Sequence, residues 1–543
     1  MRRNDIANRL VMLVFRKTTA QRSLVGLFVA IALCAPALAE DWPQWRGPNC
    51  TGISQGDHPL PTKFSLTENL AWSVELGDSI ASPVVADGRV FTTAMEGELP
   101  GNKFIVYGYD AATGKELWKR EMEVKGEPLR NVHDANSYAS ATPAADAERV
   151  YVYFTRFGLM ALDAKTGDTL WHRQLPDPYF VFDWGPGMSP VLHGDRLFFC
   201  QDDDLFPAMY CLDKNTGKIV WKDDRSDMAC CYSHPVICET DNGPEVVVAG
   251  TGSLLGYDYN TGKRKWAAEL FCRNVKTTPV SLNGVLYASV SSQGISYQWR
   301  ATADADGDGK ITREEIKTNK YRLNKDPIPD AFWKKFERGD VNNDGVLEGE
   351  EIDKAFLDPS NQGGLLAGEV QKRLGKFEDV QNLAEKVEEE EVFEDLNSKQ
   401  SVTYIQAVRG GGKGDVTETH MLWRHSPKAI DHIVSPLVLD GRMLLIKSGG
   451  IASCFETKAG KSIYRPGRIG NSSRHLASPV YGDGQIYVQG ENGTIVVLKD
   501  GPKLKVLEKN ELNETTAATP AIADGRIFIR TRGHLYCFAK KSR

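Results

Sequence analysis

Residues 162–171 read Leu-Asp-Ala-Lys-Thr-Gly-Asp-Thr-Leu-Trp, and this stretch decides the fold. Asp163, Thr166 and Gly167 favour a tight turn between two β-strands, the second of which ends on Trp171. Complete copies of the pattern begin at Asp110, Asp213 and Asp258, and degenerate copies that have lost the tryptophan occur at 456–461 and 499–501. A hairpin that recurs along the whole chain predicts a repeat architecture.

A second recurring pattern places a proline before an apolar pair, a hairpin turn such as Asp87-Gly88 and a β-rich run. Eight prolines mark it: Pro83, Pro143, Pro190, Pro235, Pro279, Pro436, Pro479 and Pro520. Most neighbouring marks are 41 to 60 residues apart, which is the length of a four-stranded propeller blade. The interval from Pro279 to Pro436 holds one blade and about 110 further residues. The pattern therefore predicts eight blades, of which the fifth carries an insertion.

The two ends of the repeat array predict how the ring closes. The strand at Leu535–Phe538 is followed by no further repeat, whereas Leu70–Val74 reads as a strand with no hairpin partner before it. Because an open ring would expose strand edges, we expect the N-terminal strand to complete blade eight. We predict an all-β, eight-bladed β-propeller with a small α-helical insertion. Stacked sandwiches are the alternative, and the single period along the chain disfavours them.

The expected domain boundaries follow from these patterns. Residues 40–289 hold the closing strand, blades one to four and the start of blade five; 290–401 are the insertion; 402–543 are the rest. We expect the insertion to be a satellite of the ring, because both of its ends lie in one hairpin.

Repeats such as residues 162–171 resemble those of the PQQ-binding-like β-propellers, which include quinoprotein alcohol dehydrogenases and BamB-like outer-membrane assembly propellers. The opening Asp41-Trp42-Pro43-Gln44-Trp45-Arg46-Gly47-Pro48 is similar to the start of exported propellers of planctomycete-like bacteria, which often carry EF-hands. The resemblance spans nearly all of the mature chain. It implies the fold and leaves the activity open.

The insertion contains two copies of the EF-hand loop, 36 residues apart. Each offers side-chain oxygens, one backbone carbonyl, one water-bridged position and a final bidentate carboxylate, the ligands that calcium prefers. The predicted ligands are Asp304, Asp306, Asp308, Lys310, Thr312 and Glu315 in the first loop, and Asp340, Asn342, Asp344, Val346, Glu348 and Glu351 in the second. An aromatic stripe predicts a helix over 327–338, and 378–395 is predicted as an acidic connecting helix. We predict calcium ions with a structural role.

The N-terminus has the layout of a secretory signal. Basic residues precede an apolar run from Leu24 to Leu33, and the small residues Ala37 and Ala39 follow it. We predict cleavage after Ala39, a mature protein in the periplasm or outside the cell, and no transmembrane span in it, since the apolar run is too short. A net charge of -6 without a long basic run excludes nucleic acid as an expected partner.

A candidate ligand site is predicted in the central channel, on the expectation that the strand before each marker proline is the innermost of its blade. Polar residues at those places either bind a ligand or fill the channel. They are Arg130, His133, Asp134, Asp183, Cys230, Cys231, Arg273, Lys276, His432, Arg474 and His475.

The adjacent cysteines Cys230 and Cys231 bear on redox chemistry. Quinoprotein dehydrogenases have a vicinal disulfide beside PQQ, but the remaining quinone-site residues have no counterpart here, so the resemblance does not lead us to expect PQQ as a cofactor. We favour a non-catalytic binding or assembly scaffold whose partner is another envelope protein or a polysaccharide. The alternatives are a PQQ-dependent dehydrogenase and a calcium-stabilised carbohydrate- or surface-binding module.

Overall fold

The computed structural model describes residues 40–97, 103–125, 129–228, 231–270, 275–292, 302–349, 351–352, 355, 402–427 and 433–541. Cys230, Arg273, His432, the acidic stretch 378–395 and residues 293–301 before the first calcium loop lie outside the described residues.

Among the described residues, eight sheets are the blades of a β-propeller, each built on four antiparallel strands. The sheet of blade four has a short fifth strand in parallel, and a separate two-stranded sheet lies in the insertion. Strand β1 is Leu70–Glu75. Blade one comprises β2 Val84–Ala86, β3 Arg89–Glu96, β4 Lys103–Asp110 and β5 Glu116–Glu123, and blade two comprises β6 Ala144–Ala145, β7 Arg149–Phe154, β8 Gly158–Asp163 and β9 Thr169–Arg173. Blade three comprises β10 Val191–His193, β11 Arg196–Gln201, β12 Ala208–Asp213 and β13 Ile219–Asp224. Blade four comprises β14 Val236–Thr240, β15 Gly243–Gly250, β16 Ser253–Asp258 and β17 Arg264–Glu269.

The later blades follow the same order, interrupted by the insertion. Blade five comprises β18 Val280–Leu282, β19 Val285–Ser292, β22 Val402–Arg409 and β24 Met421–His425, and blade six comprises β25 Leu437–Leu439, β26 Arg442–Lys447, β27 Ile451–Glu456 and β28 Ser462–Arg468. Blade seven comprises β29 Val480–Gly482, β30 Gln485–Gln489, β31 Thr494–Lys499 and β32 Val506–Glu511. Blade eight comprises β33 Ala521–Ala523, β34 Arg526–Arg530 and β35 His534–Ala539, together with β1. The remaining elements are β20 Lys310–Thr312, β21 Val346–Glu348, β23 Gly414–Asp415, a 3-10 helix at Pro48–Cys50, and helices α1 Arg313–Thr318, α2 Asp330–Gly339 and α3 Thr417–His420.

The predicted ring closure is confirmed. Strand β1 pairs antiparallel with β35, with Val74 opposite Leu535 and Glu75 opposite His534. The first strand of the described chain is therefore the outermost strand of the last blade. The insertion leaves after β19 and returns at β22, which pair directly with each other.

The turn that decides the fold also joins neighbouring blades. The Asp163 carboxylate accepts hydrogen bonds from the N–H groups of Lys165 and Thr166, at 2.8 and 2.9 Å. Gly167 has a φ of 75°, and a Cβ there would lie 2.6 Å from the ring of Trp118, which belongs to the preceding blade. That tryptophan donates from Nε1 to the carbonyl of Ala164 at 3.0 Å. The glycine and the tryptophan recur together because each ring packs on the next blade's turn.

The prediction that a strand precedes each marker proline is wrong, because the innermost strands begin after the prolines. Before seven of the eight prolines, the preceding residue instead joins one blade to the next, through a backbone N–H that donates to a hydroxyl oxygen. The observed bonds are Ser82 to Thr142 (3.0 Å), Thr142 to Ser189 (3.1 Å), His234 to Thr278 (3.0 Å), Thr278 to Ser435 (2.9 Å), Ser435 to Ser478 (3.1 Å), Ser478 to Thr519 (3.1 Å) and Thr519 to Ser82 (3.0 Å). This nearly continuous circle of hydrogen bonds surrounds the axis of the ring.

Residues 40–53, which we call the hub segment, cross the ring on the face that carries the turns Asp87-Gly88 and Asp524-Gly525. The segment is bonded to seven blades through the pairs Trp42 with Val85 (2.8 Å), Pro43 with Ala145 (2.7 Å), Gln44 with Leu192 (2.6 Å), Asn49 with Ile237 (2.8 Å), Arg46 with Pro436 (2.7 Å), Gly52 with Tyr481 (2.8 Å) and Glu40 with Asp524 (2.7 Å). Trp42, Arg46 and Cys50 are fully buried. The motif at residues 41–48 therefore contributes buried side chains to this face of the ring.

Candidate metal centre

The first EF-hand loop folds its carboxylates towards a common point. Asp304 accepts from the N–H groups of Gly307 and Gly309 at 2.6 and 2.8 Å. Glu315 accepts from Ala305 at 2.9 Å and from Thr312 at 2.8 Å. One carboxylate oxygen from each of Asp304, Asp306 and Glu315 lies within 4.8 Å of the others. Such a convergence of oxygen ligands suits a hard divalent cation.

The second loop has similar hydrogen bonds from its backbone to its carboxylates, but among the described residues only the first loop brings three carboxylates within 4.8 Å of one another. Asp340 accepts from the N–H groups of Asp344 and Gly345 at 3.0 and 2.9 Å, and Glu351 accepts from Val341 and Glu348 at 3.2 and 3.3 Å. In both loops the glycine at the sharp bend is left-handed, with φ values of 86° at Gly309 and 83° at Gly345.

The two loops are joined by a short antiparallel ladder between β20 and β21. Ile311 lies opposite Leu347, and both side chains are fully buried. Lys310 and Val346 lie in this ladder, where the predicted ligand is the backbone carbonyl, and the Lys310 ammonium pairs with Glu348 at 3.2 Å. Asp308 accepts from the Lys310 N–H at 2.8 Å, and the Asn342 amide donates to Asp344 at 3.1 Å. Residues of both predicted ligand sets thus lie in two linked loops.

The insertion begins and ends in one hairpin, as expected of a satellite, but its core is shared with the propeller. Helix α2 buries Phe332 and Phe336 in one cluster with Tyr179, Val181 and Phe182, which precede blade three. The rings of Tyr179 and Phe332 have centroids 6.4 Å apart. We call the propeller residues 129–131, 179–184 and 202–206 the seat. Sequence periodicity predicted the buried stripe of α2 but not the surface that it packs against.

Polar contacts fasten the insertion to the same seat. Arg130 pairs with Asp183 at 3.0 Å and with Asp326 of the insertion at 2.9 Å. Asp183, which is buried, also accepts from the N–H of Asn324 at 2.9 Å, and Asn324 accepts from the N–H of Asn131 at 2.9 Å. Two residues predicted to line a ligand channel, Arg130 and Asp183, therefore hold the insertion in place.

Of the other predicted channel residues, the structure describes His133, Asp134, Cys231, Lys276, Arg474 and His475. His133 contacts Asp134 at 2.9 Å, and the Asp134 side chain is 92% exposed. Arg474 forms an ion pair with Glu491, whereas His475 is fully buried. Cys231 is buried beside Thr251, and burial raises the pKa of its thiol to about 11.

A buried ionic network that the sequence analysis missed lies next to the seat. Arg225 makes two 2.7 Å bonds to the Asp202 carboxylate. Arg264 is bonded to Asp223 at 2.9 Å and to Asp227. Its members are 23 to 41 residues apart in sequence, so no local motif announces them. Its bonds from Arg225 hold Asp202 in place, and Asp202 is the first residue of the seat stretch 202–206.

Asp203 in the seat predicts a distinct pH dependence. Burial raises the pKa of this carboxyl to about 7, although it accepts hydrogen bonds from the N–H groups of Leu205 and Phe206. In the unfolded chain the Asp203 carboxyl loses its proton near pH 4. Between about pH 4 and pH 7 the native chain therefore binds more protons than the unfolded chain, and the contribution of Asp203 to the free energy of unfolding falls as pH rises. We expect the stability of Asp203→Asn relative to wild type to increase by about 2 kcal/mol between pH 5 and pH 7.5.

Urea unfolding at the two pH values measures this difference. The control is Asp134→Asn, which changes an exposed carboxylate on the same face and should show a smaller pH-dependent change. Equal changes in the two variants would mean that Asp203 ionises normally in the native protein.

Comparisons with known proteins agree with this architecture. A family model described as "Outer membrane protein assembly factor BamB" matches residues 65–179 and 180–295, and an EF-hand model matches 301–318. The chain is 31% identical over 246 residues to the quinohemoprotein alcohol dehydrogenase ADH IIB of Pseudomonas putida, covering 41% of this chain and 34% of that protein. It is 26% identical over 220 residues to the quinoprotein ethanol dehydrogenase of Pseudomonas aeruginosa, covering 36% and 34%.

These alignments span about a third of the length of the two curated relatives. Among solved structures, BamB from Moraxella catarrhalis matches with a TM-score of 0.49 and 12% identity, covering 87% of this chain and 98% of that one. No helix within the described ranges is long and apolar enough to cross a membrane. The chain is an eight-bladed β-propeller whose residues 65–295 match the BamB-like, PQQ-type repeat family, and its insertion matches an EF-hand over 301–318.

Proposed function

We propose that the protein is an exported calcium-binding scaffold, in which a calcium-loaded EF-hand pair is clamped onto a propeller that binds an envelope partner and catalyses no reaction. The partner is another envelope protein or a polysaccharide. The observation that carries this proposal is the seat, where Arg130 and Asp183 contact the insertion directly.

The residues of both loops fit calcium. Each loop supplies several carboxylates held by backbone N–H groups, and calcium would supply the positive charge that offsets their mutual repulsion. Asp304, Asp306 and Glu315 would hold the first ion. Asp340, Asp344 and Glu351 would belong to the second ligand set, and Asp340 directly follows α2.

Calcium in the second loop would therefore act on the seat through α2. The carboxylates of this loop lie at the end of the helix whose Phe332 and Lys335 contact Tyr179 and the carbonyl of Asp204. Fixing Asp340 fixes the last turn of this short helix. We infer that calcium stabilises the insertion and its contact with the propeller together.

A PQQ-dependent dehydrogenase is the second candidate, because curated relatives of the repeats are quinoprotein dehydrogenases. PQQ carries three carboxylates, so its site needs cationic groups that are not already paired. Within the described part of the chain, buried Arg225 and Arg264 are bonded to aspartates. The raised pKa of Cys231 keeps its thiol protonated at neutral pH. Arg225, Arg264 and Cys231 therefore offer no unpaired cation and no thiolate to a tricarboxylate quinone.

We therefore expect no dehydrogenase activity after reconstitution. Purified mature protein incubated with PQQ and calcium should not reduce a dye in the presence of primary alcohols or aldose sugars, and the quinone absorbance should be lost on gel filtration. A purified quinoprotein alcohol dehydrogenase treated in parallel is the positive control. Turnover by this protein that disappears in Cys230→Ser would contradict the scaffold proposal and make the cysteine pair catalytic.

A further inference from the structure

The outer rim of blades six and seven carries an excess of positive charge. These are the two blades whose copies of the turn pattern have lost the tryptophan. Their stretches 456–468 and 499–511 hold eight lysines and arginines against four carboxylates, whereas the whole chain has 66 basic and 72 acidic residues. All eight basic residues are exposed, and we call them the basic rim: Lys458, Lys461, Arg465, Arg468, Lys499, Lys503, Lys505 and Lys509.

Contacts between the two blades make the basic rim one continuous surface. Lys509 of blade seven donates from Nζ to the carbonyl of Gly470, which follows the outermost strand of blade six, at 2.8 Å. A Cβ on Gly467 in that strand would lie 2.6 Å from the Leu504 side chain of blade seven. Because the two stretches touch at two places, the cations of both blades lie side by side.

The nearby carboxylates do not neutralise the basic rim. Arg442 of β26 makes bonds of 3.1 and 2.6 Å to Asp500, so that carboxylate is already paired. None of the eight cations forms an ion pair with a residue that the structure describes. Blade one differs, because Lys119 and Lys103 both pair with Glu121, at 2.9 and 3.0 Å. The positive charges of the basic rim are therefore available to an anionic partner.

The shape of this surface favours an extended anion over a small one. The cavity between the two blades, lined in part by Tyr464 and Leu504, holds no more than about one water molecule. A small organic acid therefore has no enclosed site here. Positive charges spread over two blades instead match negative charges that repeat along a polymer.

The composition of the basic rim distinguishes between classes of polyanion. Six of its eight cations are lysines, which are depleted in protein interfaces, whereas aromatic anchors are enriched there. Binding to an anionic membrane surface also uses exposed apolar side chains. Among the large apolar side chains of the two stretches, only Val506 is exposed, at 37%. An acidic polysaccharide requires neither an apolar anchor nor an aromatic one.

We propose that the basic rim binds an acidic polysaccharide through the carboxylates of its sugars. This inference rests on the proposed scaffold function and names the class of its partner. Each ion pair at such an exposed surface is weak and is screened by salt, so binding requires several pairs at once.

Binding of hyaluronan oligosaccharides to the full chain in calcium tests the proposal. Hyaluronan carries a carboxylate on alternate sugars, so it should bind at low salt and dissociate as sodium chloride is added, whereas neutral dextran should not bind. The triple variant Lys499→Gln, Lys503→Gln, Lys505→Gln should weaken hyaluronan binding about tenfold. The matched control is Lys115→Gln, Lys119→Gln, Arg120→Gln in blade one, which changes the net charge equally and should bind as wild type.

Three results would overturn the proposal. They are no binding of hyaluronan by the wild type, equal losses in the two triple variants, and hyaluronan binding matched by dextran. Binding of polyglutamate or of phosphatidylglycerol vesicles through the same lysines, without binding of hyaluronan, would assign the basic rim to an acidic protein or to a membrane instead. The scaffold function is judged separately, because dye reduction after reconstitution with PQQ does not depend on these lysines.

Discussion

Deleting residues 70–75 abolishes the cooperative thermal unfolding transition of this protein, according to the observed ring closure. These residues are β1, the outermost strand of blade eight, and their removal leaves β35 with an unpaired edge. They also carry Trp72, whose Nε1 donates to the carbonyl of Ala111 in blade one at 3.2 Å. The deletion therefore removes a strand and the contact between the last blade and the first.

A point variant measures the same contact in a chain that still folds. Trp72 is 8% exposed and packs against Gly114, so we expect Trp72→Ala to lower the free energy of unfolding by about 3–5 kcal/mol. The matched control is Leu117→Ala, in the outer strand of blade one, where the side chain is 43% exposed and the expected loss is about 0.5 kcal/mol. Urea unfolding measures the free energy of unfolding of both variants. Equal losses in Trp72→Ala and Leu117→Ala would show that β1 does not close the ring.

Removing calcium is expected to destabilise the insertion and expose the seat. With calcium at about 100 times its dissociation constant, each ion contributes about 2.7 kcal/mol to stability, which a chelator removes. The freed carboxylates then repel one another, and α2 loses the restraint at its C-terminal end. Tyr179, Val181 and Phe182 become accessible to solvent, so a dye that binds apolar surfaces should fluoresce more strongly after chelation.

The adjacent glutamates Glu314 and Glu315 provide a matched pair of variants for this prediction. Glu315→Gln replaces the carboxylate that accepts from Ala305 and Thr312, so it should lower the calcium-dependent gain in Tm. Glu314→Gln, in the first turn of α1, lies outside the predicted ligand set and should behave as wild type. If both variants respond to calcium equally, the first loop is not a calcium site.

The sequence was sufficient for those parts of the fold that local patterns encode. The turn at Asp163–Gly167 is specified by its own side chains, and the spacing of Trp118 and Trp171 repeats because each blade makes the same contact with the next. The two calcium loops are equally local, since their residues bond within 12 consecutive positions. Ring closure could be predicted because an unpaired strand remained at each end of the array.

Contacts between distant residues could not be predicted in this way. Arg130 meets Asp326 across 196 positions, and Asp183 accepts from Asn324 across 141, without any shared motif. The hub segment was recognised only as a resemblance, because its partners are backbone groups of six blades and the Asp524 carboxylate of another. Polar residues before the marker prolines were visible in the sequence, but their role in joining blades depends on the closed ring.

The central claim is that the insertion is a calcium-binding pair, and calorimetric titration of the full chain, freed of calcium, tests it most directly. The account predicts two calcium ions per chain for the wild type and one for Glu315→Gln, with the second loop still occupied. Binding of no calcium by the wild type, or an unchanged stoichiometry in Glu315→Gln, would contradict it.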